Sequence, residues 1–154
     1  MKKSLLAAVL GVSALAVTTA HAQTSASDMI KYRQSGYSYM AWNMGNIKAQ
    51  LEGPDYDPAR VAAAANVIAA IANSGMGALY APGTDKGTGW KETRLKSEFF
   101  AQPDKVREVG MNFVQQANKL QEVAASGDKA AVAAQFGEVG KACKACHENF
   151  RKPE

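Results

Sequence analysis

The sequence predicts an all-α protein that folds as an antiparallel, up-down-up-down bundle of four helices. Four segments place apolar residues at three- and four-residue steps, capping and breaking residues separate these segments, and no segment alternates as a strand does. The connections after the first and third helices are short, so each flanking pair of helices is expected to be antiparallel. The long middle connection then crosses one end of the bundle.

The first 22 residues have the pattern of a secretory signal peptide. Two lysines precede an apolar run over residues 5–17, and the small residues Ala20 and Ala22 mark a cleavage site. The apolar run is too short to span a bilayer. We therefore expect residues 1–22 to be removed during export and residues 23–154 to form a single domain.

The first helix is predicted to begin with Ser27 as its N-cap and Asp28 in its first turn. It ends after Leu51, where Gly53 and Pro54 break the helical pattern. This helix is predicted to be amphipathic. The residues that share one of its faces are Met29, Tyr32, Gly36, Tyr39, Met40, Ile47 and Leu51.

The second helix is predicted to open with Asp57 as its N-cap and Pro58 at its first position, and to continue through an alanine-rich stretch to Ala72. Residues 75–102 then form a long connection that is too rich in glycine for a helix. A connection of this length commonly carries function.

The third helix is predicted to open at Pro103 and to end at Gly127, and Asp128 then caps the fourth helix. The fourth helix extends to Phe150. Residues 143–147, which contain both cysteines, therefore lie in its final turns.

The charge pattern argues against a nucleic-acid partner. The chain has 18 lysines and arginines and 14 acidic residues, a formal net charge of +4, and the signal segment contributes two of the lysines. Charges of both signs are interspersed, without the basic cluster that is typical of a nucleic-acid-binding protein.

The chemistry of the chain concentrates in Cys143, Cys146 and His147, the only cysteines and, after export, the only histidine. They form the pattern C-x-x-C-H, in which two thiols add to the vinyl groups of haem and the adjacent imidazole binds the iron. On a helix, all three side chains project towards one side. We therefore predict one covalent haem c, with His147 as the metal ligand, in an exported protein.

Three other chemistries fit parts of this segment. A structural zinc site needs four Cys or His ligands, and three are present. A thioredoxin-like dithiol requires a strand-to-helix context and leaves His147 unexplained. A plain disulfide between Cys143 and Cys146 is the third alternative.

The position of the motif restricts what can bind the other face of the iron. Residues 148–154 contain no methionine or histidine, and His147 is the single histidine of residues 23–154. A second histidine ligand from the same chain is therefore impossible, and any sixth ligand must come from an earlier helix.

The chain resembles the cytochromes c′, a family of class II c-type cytochromes that are four-helix bundles. The likeness spans the mature chain and is most specific in Arg33, Gln34, the Pro-Gly-Thr of residues 82–84, and residues 143–151. The segment YSYMAWNMGNIK, residues 37–48, is most similar to members from purple sulfur bacteria.

The resemblance implies a five-coordinate haem iron, with His147 as the proximal ligand and Tyr37 covering the distal face. In six-coordinate, electron-transferring relatives a methionine stands where this chain has Tyr37. In an alternative interpretation, Met40, one helical turn further on, reaches the iron. Packing of Met40 in the core is favoured over this. Tyrosinate ligation by Tyr37 requires the loss of a proton well below its usual pKa of about 10, so we expect a steric lid.

Other cofactor contacts are expected from Arg33, Gln34, Tyr80 and Arg151. The family's arginine that matches Arg33 pairs with a haem propionate, and the alternative is a solvated surface charge. Arg151 follows His147 by four residues, so it is expected near the imidazole, the alternative being an exposed cation at a helix end. Tyr80 is expected to touch the haem edge.

The resemblance implies a periplasmic haem protein that binds nitric oxide and carbon monoxide, for sequestration, carriage or sensing of nitric oxide. The alternative is an electron carrier with a methionine sixth ligand and a redox partner protein. No enzyme is expected, because the sequence offers no distal histidine–arginine pair of the kind that peroxide reduction uses. Family members are commonly homodimers joined through their first helices, to which Trp42, Met44 and Ile47 are expected to contribute apolar surface.

Overall fold

The structure, a computed structural model, describes residues 24–153. Its long helices are α1 (Ala26–Glu52), α2 (Pro58–Ala72), α4 (Pro103–Ala125) and α5 (Lys129–Phe150). A 3-10 helix, Met76–Leu79, and the short helix α3 (Glu98–Ala101) lie between α2 and α4. The predicted signal peptide lies outside the described residues.

The helix starts follow the predicted caps at two places and differ at a third. Asp57 and Asp128 cap α2 and α5 through their carboxylates, as predicted. The prediction of Ser27 as the N-cap of α1 is wrong. The hydroxyl of Ser25 caps this helix, because it accepts the backbone N–H of Asp28 at 3.1 Å. Ser27 instead donates to the carbonyl oxygen of Thr88 at 2.8 Å and so ties α1 to the long connection.

Consecutive long helices run antiparallel, because the numbers of contacting residues rise along one helix as they fall along the next, and because only three residues join α4 to the adjacent α5. The contacts are Gln50 with Asp57 and Gly36 with Ile71 for α1 and α2, Gln121 with Asn66 and Asn118 with Asn73 for α2 and α4, and Gln116 with Gln135 for α4 and α5. The predicted four-helix bundle is therefore confirmed. By contrast, α1 and α5 touch at few positions.

The core of the bundle is aliphatic and lies between all four long helices. Ile47, Ile68, Leu120 and Val139, one from each helix, are fully buried and belong to a single apolar cluster. Alanines on α2 are also buried, which allows α1 and α4 to approach that helix closely. This packing holds the helices in register and fixes the position of the last turns of α5.

The connection between α2 and α4 is more structured than predicted, since it contains the 3-10 helix and α3. Gly75 starts the 3-10 helix with a φ of 78°, which glycine adopts without strain. Within residues 24–153 the β-type pairing is limited to isolated bridges, and one of these joins Leu95 to Arg151. The connection thus crosses the end of the bundle where α5 ends. None of the helices in this part of the chain combines the length and apolar character that a membrane crossing requires.

Candidate haem site

The C-x-x-C-H segment occupies the last turns of α5, as predicted. Cys143 and Cys146 are half-buried and are not joined to each other, so the disulfide alternative is wrong. His147 is exposed, and its carbonyl oxygen accepts the backbone N–H of Arg151 at 3.0 Å, where the helix ends. Two free thiols and one accessible imidazole are thus presented together.

Two arginines influence His147, and the sequence predicted only one of them. Burial of the imidazole lowers the pKa of His147 below its usual value, because it removes hydration from the charged form. The nearby positive charges of Arg151 and Arg94 lower the pKa further. These three side chains line a shallow depression of about 350 Å³ together with Glu148 and Pro153. Arg151 is therefore near the imidazole, as expected. No local signal in the sequence points to Arg94, because it lies on the long connection.

The connection also holds the end of α5 in place. The Arg94 side chain donates to the carbonyl oxygen of Lys152 at 2.6 Å, and the Lys152 N–H donates to the Arg94 carbonyl oxygen at 2.8 Å. The Lys96 ammonium donates to the carbonyl oxygens of Glu148 and Asn149 at 2.9 and 3.3 Å. Carbonyls at a helix C-terminus lack partners within the helix, so these cations stabilise the turn that carries His147.

Tyr37 and Tyr80 meet near the two cysteines. The Tyr80 hydroxyl donates to the Tyr37 hydroxyl at 2.9 Å. Burial raises the pKa of Tyr37, and the proximity of Cys146 and Cys143 adds to the rise while the hydrogen bond from Tyr80 opposes it. The Tyr37 side chain, still 41% exposed, thus lies on the side of α1 that faces the C-x-x-C-H segment.

Arg33 is committed to the connection rather than to solvent. It is 4% exposed, so the alternative of a solvated surface charge is wrong. Its guanidinium donates to both the hydroxyl and the carbonyl oxygen of Thr84, and to the hydroxyl of Thr93 at 2.7 Å. It also lies 4.8 Å from the centre of the Tyr80 ring. The propionate contact expected of Arg33 stays a prediction.

Gln34 also binds the connection. Its amide oxygen accepts the backbone N–H groups of Trp90 and Lys91 at 2.8 and 3.2 Å, and its amide nitrogen donates to the Lys91 carbonyl oxygen at 2.9 Å. The side chain therefore fixes the loop against α1. A direct contact with the cofactor, as the sequence predicts for Gln34, stays a prediction.

Met40 belongs to the apolar core. It is 4% exposed and shares a cluster with Ile47 and Ile68, against which Cys143 also packs. The expectation of core packing is therefore met. A thioether in this position is held by its apolar neighbours.

The residues present fit covalent haem. Two unpaired thiols three residues apart are followed directly by an imidazole, which is the donor set that haem c requires. The sparse contact between α1 and α5 leaves Tyr37 partly exposed opposite these groups. The end of α5 is meanwhile held by the connection, so the donors stand on a fixed element.

Residues 28–151 match the family model described as Cytochrome C′. The chain belongs to the cytochrome c′ family. The cytochrome c′ of Allochromatium vinosum is 53% identical over 153 residues, which cover 98% of this chain and 99% of that relative. The resemblance predicted from the sequence is therefore confirmed.

Solved cytochromes c′ share the fold. A cytochrome c′ with a ligand-controlled dimer dissociation is 57% identical and has a TM-score of 0.82, covering 86% of this chain and 100% of that one. The cytochrome c′ from Alcaligenes xylosoxidans has variant structures with carbon monoxide bound and in complex with nitric oxide. Each is 30% identical with a TM-score of 0.74, covering 84% of this chain and 98% of the other.

Membership of this family identifies the cofactor. Cytochromes c′ bind haem c covalently, and Cys143 and Cys146 provide the two cysteines of the attachment motif. The cofactor predicted from C-x-x-C-H is therefore confirmed. The cytochromes c′ are haem proteins that bind gases or carry electrons and are not enzymes, in agreement with the sequence-based expectation.

Proposed function

We propose that the protein is a periplasmic haem protein whose five-coordinate, high-spin iron binds nitric oxide and carbon monoxide and can change its redox state. Haem, when bound, supplies an iron with one open coordination position. Cys143 and Cys146 would hold the cofactor through their sulfur atoms, and His147 would bind the iron. The role in the cell is the sequestration, carriage or sensing of nitric oxide.

The observation that carries this proposal is the identity of the side chains opposite the cysteines. Tyr37 stands near Cys143 and Cys146. The family resemblance implies that six-coordinate, electron-transferring relatives have a methionine at this position. Burial raises the pKa of Tyr37, which favours a neutral phenol over a tyrosinate ligand. The nearest methionine in sequence, Met40, is buried in the core. These features support an iron without a protein ligand on its distal side.

The relatives support the choice of ligands. Carbon monoxide and nitric oxide are the molecules bound in the structures of the Alcaligenes xylosoxidans protein. Both are small and uncharged, so they can pass a side chain such as Tyr37 without a charged partner in the site. We therefore extend these two ligands to this protein.

A periplasmic location follows from the N-terminal segment and the cofactor. Residues 1–22 have the charge, apolar run and small-residue site of a signal peptide. Bacteria attach c-type haem outside the cytoplasm, so a chain with C-x-x-C-H is expected to be exported.

We further propose that the protein forms a homodimer through α1. Tyr32, Tyr39 and Trp42 are exposed on this helix at steps of seven and three residues, and the Tyr39 and Trp42 rings stack with centres 5.6 Å apart. Of the residues that the sequence suggested, Trp42 is 60% exposed, whereas Ile47 is fully buried and cannot contribute, because it packs in the core. Met44 is half-buried against that core. The dimer of the 57% identical relative supports the same assembly here.

The optical and electron paramagnetic resonance spectra of the purified holoprotein test the iron assignment. We expect high-spin ferric and ferrous spectra that change when nitric oxide is added. Low-spin spectra with a methionine-to-iron charge-transfer band, unchanged by the gas, would contradict the proposal. They would make the protein an electron carrier with Met40 or another thioether on the iron.

A further inference from the structure

Tyr80 is positioned to control the movement of Tyr37. We infer that Tyr80 is a latch: its hydroxyl holds Tyr37 over the distal side of the haem, so that gas reaches the iron only after the hydrogen bond between the two phenols breaks. The inference rests on the proposed function, in which Tyr37 covers that side. It adds a residue of the long connection to the control of gas entry.

The hydrogen bond joins two separate parts of the fold. Tyr37 lies just over one helical turn after Arg33 on α1, whereas Tyr80 caps the end of the 3-10 helix Met76–Leu79. The two hydroxyl oxygens are 2.9 Å apart, with Tyr80 as the donor, across 43 residues of sequence. The bond is therefore a tertiary contact that bridges α1 and the connection, and it can break without unfolding a helix.

Tyr80 is the fixed partner of this pair. Its ring stacks on Phe99 with centres 4.5 Å apart and planes inclined by 17°. Phe99 in turn meets the buried ring of Phe150 edge-on at 5.5 Å. The guanidinium of Arg33, itself held by the connection, covers the Tyr80 ring at 4.8 Å. These contacts with the Tyr80 ring hold the Tyr80 hydroxyl, which is the donor, in place.

Tyr37 is the movable partner. It is 41% exposed, and within residues 24–153 its side chain is hydrogen-bonded only to Tyr80. The backbone of Tyr37 lies inside the long helix α1, where backbone hydrogen bonds on both sides resist a local shift. Motion that uncovers the site is therefore rotation of the Tyr37 side chain, which costs this hydrogen bond.

The latch predicts an asymmetric effect on binding rates. The bond exists while Tyr37 covers the site and is already broken once a ligand has displaced the ring. Removing it should therefore speed carbon monoxide association, by about two- to tenfold for one neutral hydrogen bond, and leave dissociation unchanged. General loosening of the packing would change both rates.

The experiment measures carbon monoxide association and dissociation on the ferrous holoprotein after flash photolysis. Tyr80→Phe and Tyr37→Phe each remove one hydroxyl and keep the ring. We expect each to speed association, and the double variant to be no faster than either single one, because all three lack the same bond. Tyr56→Phe is the matched control, because Tyr56 lies between α1 and α2 beside Lys129, at the end of the bundle away from the haem site, and its rates should equal those of the wild type.

A further variant separates failure of the latch from failure of the proposed function. Tyr37→Ala removes the lid itself and should speed association more than Tyr80→Phe does. If Tyr37→Ala is faster and Tyr80→Phe equals the wild type, the latch is overturned while the lid stands. If Tyr37→Ala has no effect, the lid of the proposed function fails and the latch with it. Additive effects in the double variant, or faster dissociation in Tyr80→Phe, would also overturn the latch.

Discussion

The guanidinium of Arg33 donates two hydrogen bonds to Thr84, one to its hydroxyl at 2.7 Å and one to its carbonyl oxygen. Further bonds reach the hydroxyl of Thr93 at 2.7 Å and the carbonyl oxygen of Leu79 at 3.2 Å. One buried cation thus joins α1 to three points of the long connection. Burying a charge is costly unless it is hydrogen-bonded, and here several acceptors compensate it.

Replacing this arginine should therefore destabilise the protein even when the charge is kept. The flexible ammonium of Arg33→Lys cannot reproduce the forked donation to Thr84 and Thr93, and we expect the free energy of unfolding to fall by about 2–4 kcal/mol. Urea unfolding of the holoprotein, followed by circular dichroism, measures this. Arg60→Lys, at an exposed arginine, should change stability by less than about 0.5 kcal/mol. Equal losses in both variants would contradict the prediction.

The connection approaches α1 so closely that Gly89 has no room for a side chain. A Cβ at this position would lie 2.6 Å from the backbone nitrogen of Lys31 and 2.8 Å from the amide oxygen of Gln34. We expect Gly89→Ala to lower the free energy of unfolding by about 1–3 kcal/mol. The control is Gly137→Ala within α5, where a Cβ meets nothing within 4 Å and should stabilise the helix by about 0.5–1 kcal/mol. If Gly89→Ala leaves the free energy of unfolding unchanged, the close approach of the connection to α1 is contradicted.

Stability should fall at alkaline pH because of Tyr80. Burial, followed by the neighbouring Tyr37, raises the pKa of Tyr80 above its ordinary value. Above a pH of about 10 the unfolded chain therefore releases a proton that the folded protein retains, and unfolding becomes more favourable as the pH rises. The slope for one such group approaches about 1.4 kcal/mol per pH unit. The free energy of unfolding, measured with denaturant at pH values above 10, should decline less steeply with pH in Tyr80→Phe than in the wild type. Equal slopes would refute this assignment.

The two arginines near His147 should raise the reduction potential of the haem iron. A cation near the iron disfavours the more positive ferric state. Arg94→Gln is therefore expected to lower the potential by tens of millivolts in a spectroelectrochemical titration. Arg60→Gln, at the start of α2, provides a comparison at the opposite end of the bundle and should leave the potential unchanged. A potential unaffected by Arg94→Gln would remove this arginine from the proximal environment.

The proposed dimer depends on the exposed aromatic face of α1. Trp42→Arg places a charge on that face, where Trp42 is 60% exposed, and should shift the holoprotein from dimer to monomer in sedimentation velocity at micromolar concentration. Met111→Arg, at an exposed methionine of α4, should leave the dimer intact. A monomeric wild type, or dissociation in both variants, would argue against this interface.

The elements that the sequence predicted correctly depend on neighbours in the chain. Asp57 and Asp128 cap their helices through bonds to residues two and three positions away, and C-x-x-C-H is complete within five residues. The start of α1 is ambiguous in the sequence because two serines, Ser25 and Ser27, stand close together and either suits an N-cap. In the structure Ser25 caps α1, and Ser27 instead donates to the carbonyl oxygen of Thr88, 61 residues away.

By itself, the sequence determined the helices, the family and the residues that attach haem, because periodicity, capping and motif spacing are local properties of the chain. The tertiary structure alone decided that Arg33 is buried, that Arg94 lies near His147 and that Tyr80 binds Tyr37. Each of these contacts depends on the path of residues 75–102 across the end of the bundle. That path is set by packing and hydrogen bonds between residues more than forty positions apart, which no local pattern encodes.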